Sequence, residues 1–181
     1  MSQFEAGKPV DFGTSTLSNA GIITVAELLN SLWSMQAPPG VILVGVDGCG
    51  GSGKSTLARA LLSGAPEKVA MVQMDDFYKP SAQRPSGDDK PIGGNFDCAR
   101  LRKQVLEPLS KGEGGRYQRY DWNQDALTEW HEVVPRGIVI IEGVYSTNED
   151  LRHFYDCKIF VHCPYDVRLK RGIDRDGEAC R

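Results

Sequence analysis

The sequence predicts an α/β protein of three layers, in which helices flank both faces of a parallel sheet. Short apolar runs, typical of buried strands, alternate along the chain with stretches of helical periodicity. A glycine-rich segment at residues 48–55 joins the first long apolar run to a helical pattern. Three apolar runs are followed directly by this segment or by an acidic residue, and parallel sheets bind ligands at that edge.

The chain has 181 residues, a length that suits a single domain. Residues 1–23 are predicted to be a leader, mobile or lying on the surface, because residues 1–15 are polar and lack an apolar period. The single domain then covers residues 24–181. It begins with an amphipathic helix from Thr24 to Trp33, with Thr24 as the expected N-cap and Glu27 three residues later. We expect its apolar face to pack on the sheet.

The segment GCGGSGKS, from Gly48 to Ser55, lies between an apolar strand at Val41 to Val46 and a helical pattern at Thr56 to Leu62. Its glycines let backbone N–H groups surround phosphate oxygens, Lys54 adds a positive charge, and the Ser55 hydroxyl suits Mg²⁺. The helix N-terminus favours the same anion. The segment therefore predicts a P-loop that binds a nucleoside triphosphate. The residues expected to contact the phosphates are Gly48, Gly50, Gly51, Ser52, Gly53, Lys54, Ser55 and Thr56.

Further strands and helices are predicted after this loop. An apolar run at Val69 to Met74 predicts a strand that ends in Asp75, and residues 80–95 predict a long functional loop. Arg100 to Leu109 resumes a helical spacing, and residues 117–122 alternate as in a short extended segment. The remaining predicted elements are strands at Ile138 to Ile141 and Lys158 to His162, and a basic helix at Asp166 to Arg175.

Two acids at predicted strand ends suggest phosphoryl transfer. Asp75 is the candidate to accept the proton of an attacking hydroxyl, since its strand is expected beside the P-loop strand; Asp76 is the rival. Glu142 follows Ile141 and is the candidate to bind Mg²⁺, directly or through water. The alternative for either acid is a helix cap or a surface carboxylate.

Three arginines, Arg168, Arg171 and Arg175, follow the spacing i, i+3 and i+7, which aligns them on one helical stripe. Such a stripe can close over phosphates as a lid and neutralise the charge that develops during transfer. The alternative is a solvated basic face.

Composition limits the classes of partner. With 21 basic and 24 acidic residues the net charge is −3, which offers no general surface for nucleic acid. No apolar stretch is long enough for a membrane span, and no secretory signal pattern opens the chain, so a cytoplasmic protein without a membrane partner is expected. Five cysteines without a C-x-x-C pair favour neither a disulfide framework nor a zinc site. A homo-oligomer is compatible with this composition.

Six segments stand in a specific order from about Val41 to the C-terminus. They are GVDGCGGSGKST, QMDDFYKP, NFD at Asn95 to Asp97, RYQRYDW, IIEGVYS and the pattern R-L-x-R-x-x-x-R-D from Arg168 to Asp176. In this order and spacing they resemble the uridine kinase-like P-loop kinases, a family that also includes phosphoribulokinase and bacterial pantothenate kinase.

The resemblance implies roles for particular residues. Asp75 takes the position of the family's catalytic aspartate, and Glu142 would share Mg²⁺ with Ser55. The acceptor-binding positions that it implies are Tyr78 beside the nucleoside, Asp97 on the ribose hydroxyls and Tyr120 near the base. The arginine stripe would belong to the lid. The implied reaction transfers the γ-phosphate of ATP, with Mg²⁺, to a primary hydroxyl such as the 5′-OH of uridine or cytidine.

Two departures keep other functions open. Nucleoside kinases of the family carry a histidine a few residues past the tyrosine of Y-D-[FW], where this chain has residues 123–125, Asn-Gln-Asp, and His131 is not at that position. Relatives also continue beyond the position of Arg181, so we expect either a shortened chain or a differently built nucleotide pocket. Pantothenate or another small alcohol is the alternative acceptor. A P-loop switch or regulatory ATPase is the alternative class.

Overall fold

The computed structural model describes residues 4–5, 10–12, 15–17, 22–35, 37, 40–87 and 91–177, with side chains at 23–35, 37, 40–87, 91–174 and 177. Four short strands precede the first helix: β1 (Phe4–Glu5), β2 (Val10–Phe12), β3 (Ser15–Leu17) and β4 (Ile22–Ile23). Antiparallel pairs join β1 to β4 and β2 to β3. These pairs lie in the predicted leader, where no periodicity indicated strands.

The following elements form the rest of the described chain. In order they are α1 (Val25–Trp33), β5 (Val41–Asp47), α2 (Lys54–Gly64), β6 (Val69–Gln73), α3 (Cys98–Leu101), a π-helical stretch (Arg102–Leu106), α4 (Glu107–Ser110), β7 (Gly115–Asp121), β8 (Ala126–Val133), β9 (Gly137–Glu142), β10 (Cys157–Phe160) and α5 (Tyr165–Asp176). Short 3₁₀ turns cover Met74–Phe77, Ser81–Gln83 and Arg152–Phe154. Within the described residues, no helix has the length and apolar character needed to cross a membrane.

The central sheet has four parallel strands in the order β10-β5-β9-β6, which confirms the predicted parallel sheet. The expectation that the strand before Asp75 lies beside the P-loop strand is wrong, because β9 separates β6 from β5. The physical reason is burial: residues 138–141 of β9 are apolar and fully buried, as suits a strand covered on both faces and both edges.

Helices and a hairpin cover the two faces of the sheet and produce three layers. On one face, α1 and α2 pack on alternate strand residues; this core includes Leu29, Leu32, Leu57, Leu61, Val44 and Ile140. On the other face, the helical stretch over residues 98–110 and the antiparallel β7–β8 hairpin cover the intervening residues; this core includes Leu43, Ile141, Leu106, Leu109 and Tyr117. The expected capping box of α1 is present, with Thr24 and Glu27 bonded reciprocally.

The carboxylate of Asp47 ties the end of β5 to the loop that follows β9. Its Oδ1 accepts hydrogen bonds from the backbone N–H groups of Gly48 (2.6 Å) and Tyr145 (3.1 Å). Its Oδ2 accepts from the backbone N–H of Thr147 (3.0 Å) and from the Thr147 hydroxyl (2.8 Å). Tyr145 is held at φ 65°, a left-handed conformation that residues with side chains seldom adopt. Asp47 therefore fixes the start of the P-loop relative to residues 143–147.

Replacing Asp47 with alanine would leave three backbone N–H groups without their acceptor. We expect Asp47→Ala to lower the free energy of unfolding by about 1–3 kcal/mol. Urea denaturation followed by tryptophan fluorescence measures this change. Glu113→Ala, which removes an exposed carboxylate, is the matched control and should leave the midpoint unchanged. An Asp47→Ala midpoint equal to that of the wild type would mean that water replaces the carboxylate.

Candidate active site

The P-loop adopts a conformation that depends on its glycines. Gly48, Gly51 and Gly53 have φ values of 149°, 73° and 102°. A Cβ atom on Gly51 would lie 2.7 Å from the backbone oxygen of Arg168, and one on Gly48 would collide with the backbone oxygen of Val161. The loop therefore lies directly against the start of α5 and the segment before it.

The first turn of α2 carries the two polar side chains that the motif predicts. Lys54 is only 8% exposed, and its Nζ lies 3.4 Å from the backbone oxygen of Cys49 in the loop. Gly53 precedes the helix and provides no side-chain cap for the helical N–H groups. Those N–H groups and the ammonium group are arranged as in an anion site at a helix N-terminus.

Glu142, at the end of β9, faces this turn. Its Oε1 accepts a hydrogen bond of 2.8 Å from the Ser55 hydroxyl, and Glu142 is only 5% exposed. Burial raises the pKa of Glu142, against the opposing effects of the Ser55 hydrogen bond and the Lys54 charge; the charge of Asp75 raises the pKa further. The carboxylate and hydroxyl oxygens are of the kind that Mg²⁺ prefers. Mg²⁺ commonly uses one or two protein oxygens together with phosphates and water, and this pair fits that pattern.

Asp75 and Asp76 lie in the 3₁₀ turn after β6 and have different surroundings. Asp75 is exposed at the sheet edge, near enough to Glu142 for its charge to act there. Asp76 is partly buried, and its Oδ2 accepts a hydrogen bond of 2.9 Å from the Tyr117 hydroxyl. Burial raises the pKa of Asp76, while the bond from Tyr117 opposes this change. Asp76 is thus held by a hydrogen bond within the protein, whereas Asp75 remains accessible to solvent.

An aromatic cluster lies beside this turn, and we define it as Tyr78, Phe96, Tyr120 and Trp122. The ring of Tyr78 lies 4.4 Å from that of Phe96, 4.5 Å from that of Trp122 and 6.1 Å from that of Tyr120. The ring of Tyr145 lies 6.0 Å from that of Phe96. Tyr78 and Tyr120, which the family resemblance indicated, are therefore brought together. Phe96 and Trp122 were not identified, although both stand inside the quoted motifs.

Asp97 caps the N-terminus of α3. Its Oδ1 accepts a hydrogen bond of 3.0 Å from the backbone N–H of Arg100, and Arg100 Nε lies 3.6 Å from its Oδ2. A helix cap was the alternative considered for Asp75 and Glu142; the structure instead shows Asp97 as a cap. The side chain of Asp97 remains 31% exposed. Its ribose-binding role stays a prediction.

Arg100 joins several of these parts, and sequence analysis did not identify it. Its guanidinium donates to the backbone oxygens of Gln118 (2.6 Å) and Asp76 (2.9 Å). It also lies over the ring of Phe77, 4.6 Å from the ring centre. Arg100 therefore holds the β7–β8 hairpin against the turn that carries Asp75. The feature of the sequence that could have indicated this role is the position of Arg100 three residues after Asp97.

The predicted arginine stripe lies on α5, beside the P-loop. Arg171 Nη1 donates to the backbone oxygen of Gly51 at 3.3 Å. The guanidinium of Arg168 lies 5.5 Å from the ring centre of Tyr165, while its backbone packs against Gly51. Arg175 belongs to the same helix, but its side chain lies outside the described residues. The structure thus brings the Arg171 side chain to the P-loop.

Comparison with known proteins finds a family and relatives that match most of this chain. Residues 43–179 match the Phosphoribulokinase / Uridine kinase family. A uridine kinase of Alkaliphilus metalliredigens is 34% identical over 146 residues, covering 76% of this chain and 69% of that protein. A protein of Arabidopsis thaliana named inorganic pyrophosphatase TTM2 is 32% identical over 168 residues, covering 87% of this chain and 23% of that protein.

A solved structure, titled as a possible uridine kinase from Bacillus stearothermophilus, has the same fold. It superimposes with a TM-score of 0.66 at 23% identity, covering 86% of this chain and 88% of that one. The family match extends over most of the chain and includes the P-loop, the acid at the end of β9 and α5. The chain therefore belongs to the phosphoribulokinase/uridine kinase family of kinases.

Proposed function

We propose that the protein transfers the γ-phosphate of ATP to the 5′-OH of a pyrimidine nucleoside, uridine or cytidine. The observation that carries this proposal is the meeting of two half-sites at one sheet edge. One half is the P-loop with the Ser55–Glu142 pair. The other is the exposed carboxylate of Asp75 beside the aromatic cluster.

The phosphate half of the proposed site has the parts that a kinase needs. Backbone N–H groups of the P-loop and the Lys54 ammonium group bind the outer phosphates. The Ser55 and Glu142 oxygens would hold Mg²⁺, which when bound neutralises phosphate charge. Arg171, whose guanidinium lies against the P-loop, adds positive charge where charge develops in the transition state.

The acceptor half accounts for the fate of the proton. The acceptor hydroxyl oxygen forms a bond to the γ-phosphorus as the bond to the β–γ bridging oxygen breaks, and ADP leaves with that electron pair. The hydroxyl proton goes to the Asp75 carboxylate. Tyr78 is half-buried and offers ring surface on which a planar base stacks. Tyr120 is only 2% exposed and supports that surface through its contact with Tyr78, 6.1 Å between ring centres. Asp97 has a partly exposed carboxylate that suits ribose hydroxyls.

A second candidate is hydrolysis of a phosphoanhydride with no alcohol acceptor. The P-loop alone permits it, and this chain is similar to 23% of the Arabidopsis protein named inorganic pyrophosphatase TTM2. The exposed Asp75 would then orient a water molecule. Pantothenate or another small alcohol is the further alternative within the kinase chemistry.

A panel assay separates these candidates. The protein is incubated with Mg²⁺ and ATP, with and without uridine, cytidine, pantothenate or sugar alcohols, and ADP is measured. We expect ADP to form only with uridine or cytidine. Lys54→Ala should lower this rate about 100- to 1,000-fold, because it removes a charge aimed at the transferred phosphate. Lys111→Ala, at an exposed position, is the control. ADP formation without acceptor would instead indicate hydrolysis.

The neighbouring acids allow a matched test of the base. We expect Asp75→Asn to lower kcat about 100- to 10,000-fold with little change in ATP affinity, because its contact is with the acceptor hydroxyl. Asp76→Asn, one residue away, should retain most of the turnover. Steady-state kinetics and nucleotide binding measure both variants. A larger loss in Asp76→Asn would transfer the role of base to Asp76.

The raised pKa of Asp76 predicts a pH-dependent effect on stability. Burial disfavours its ionised form, so its contribution to stability is complete below the ordinary aspartate pKa, near 3.8, and is lost as pH rises through the folded-state value. The amide side chain of the Asp76→Asn variant does not ionise. The variant should therefore gain stability relative to the wild type as pH rises from about 4 to about 8, measured by urea unfolding. A constant difference would contradict this account of Asp76.

A further inference from the structure

Arg84 lies within the aromatic cluster. Its guanidinium carbon lies 5.3 Å from the ring centre of Tyr78, 5.5 Å from that of Tyr120 and 5.8 Å from that of Trp122. The side chain is 25% exposed, so the cation is only partly solvated. A guanidinium over several ring faces is held by cation–π attraction and stacking. The group is thus fixed beside two residues assigned to acceptor binding, Tyr78 and Tyr120.

The hydrogen-bond donors of Arg84 are only partly used. Nε donates to the backbone oxygen of Lys79 at 2.8 Å. Nη2 donates to the Tyr120 hydroxyl at 2.5 Å and lies 3.5 Å from Oδ1 of Asp125. Among the residues that the structure describes, Nη1 has no hydrogen-bond partner. Two of the five N–H donors of the guanidinium are therefore unused by the part of the chain that the structure describes.

Three polar residues beside Arg84 bond to one another: Asp125, Ser81 and Tyr120. Oδ1 of Asp125 accepts from the Ser81 backbone N–H (2.8 Å) and the Tyr120 hydroxyl (2.7 Å), and Oδ2 accepts from the Ser81 hydroxyl. The bonds from Ser81 and Tyr120 hold the pKa of Asp125 down to about 2. Asp125 thus remains ionised and occupied. Arg84 is the cation of this cluster, and the described residues leave its Nη1 donors for a ligand.

We propose that Arg84 selects the acceptor by donating hydrogen bonds to an oxygen at the end of the acceptor remote from the transferred phosphate. A guanidinium donates and never accepts, so it favours a carbonyl or carboxylate oxygen over an amino group. Uracil has a carbonyl oxygen at position 4, where cytosine has an amino group. This inference rests on the proposed function, and for nucleosides it means that uridine is preferred to cytidine.

Asp125 completes this arrangement as a positioning residue. It stands in the segment where a histidine follows the tyrosine in the nucleoside kinases that the sequence resembles. Its φ of 50° turns the β7–β8 connection so that the carboxylate contacts Tyr120 and Ser81. The carboxylate balances the Arg84 charge, 3.5 Å away. Asp125 therefore holds the Arg84 cation within the aromatic cluster, at the connection where this chain has no histidine.

Arg84→Met tests the proposal, because methionine retains an apolar stem over the rings and removes every donor. Arg116→Met is the matched control, since Arg116 stacks on Trp130 with its guanidinium carbon 4.4 Å from the ring centre, outside the proposed site. Equilibrium dissociation constants and kcat/KM are measured for uridine and cytidine. The wild type and Arg116→Met should prefer uridine about tenfold or more. In Arg84→Met the ratio should fall towards one, with KM for ATP unchanged.

Several outcomes would overturn the proposal. Equal affinity of the wild type for the two nucleosides would do so, and so would an unchanged uridine-to-cytidine ratio in Arg84→Met. Faster turnover of both nucleosides in Arg84→Met would also do so, because it would mean that the guanidinium blocks the pocket. Urea midpoints of the variants separate these results from misfolding.

A second pair of ligands separates the selection by Arg84 from the nucleoside hypothesis. Pantothenate carries a carboxylate that pantothenol lacks, and both have a primary hydroxyl. If the wild type binds neither nucleoside but binds pantothenate about tenfold more tightly than pantothenol, the nucleoside proposal fails. Loss of that difference in Arg84→Met would then support the role of Arg84. Binding of none of the four compounds would overturn it.

Discussion

The pairing of β5 with β9 places Val46 opposite Glu142. The P-loop that follows β5 therefore begins beside the carboxylate at the end of β9. Because both faces of these strands are buried, a slip of one residue would exchange their side chains between the two cores and disrupt the packing of each. The bond between Ser55 and Glu142 follows from that register and from the start of α2. Asp47 adds a second link between the same strand ends. The phosphate half of the site is therefore a property of the central sheet.

The acceptor half depends on longer connections. The turn with Asp75 and Asp76 and the loop with Arg84 are neighbours in the sequence, whereas the β7–β8 hairpin begins only at Gly115. Hydrogen bonds of Arg100 join the hairpin to the turn, and hydrogen bonds of Asp125 join the hairpin to the loop. Both are charged side chains whose partners are largely backbone groups or hydroxyls. One of these bonds comes from the Tyr120 hydroxyl, so the aromatic cluster and the position of the hairpin depend on each other.

Features set by local order were accessible from the sequence. The P-loop, the capping box at Thr24 and the buried strand before Glu142 each depend on neighbouring residues, and the structure has all three. Strand order was not accessible, since nothing local indicates that β9 lies between β5 and β6. The π-helical stretch was not predicted, because one added residue barely changes an apolar pattern with a period of 3.6 residues. Asp47 and Arg84 were missed because their roles arise from partners brought together by folding.

The left-handed conformation of Tyr145 has a consequence for engineering. A glycine at that position would relieve backbone strain of about 1–3 kcal/mol. It would also delete the ring that lies 6.0 Å from that of Phe96, between the segment held by Asp47 and the aromatic cluster. A search for heat-resistant variants guided by backbone geometry alone would choose this change early. At position 145 a gain from relieved backbone strain would therefore be set against the loss of the contact between the rings of Tyr145 and Phe96.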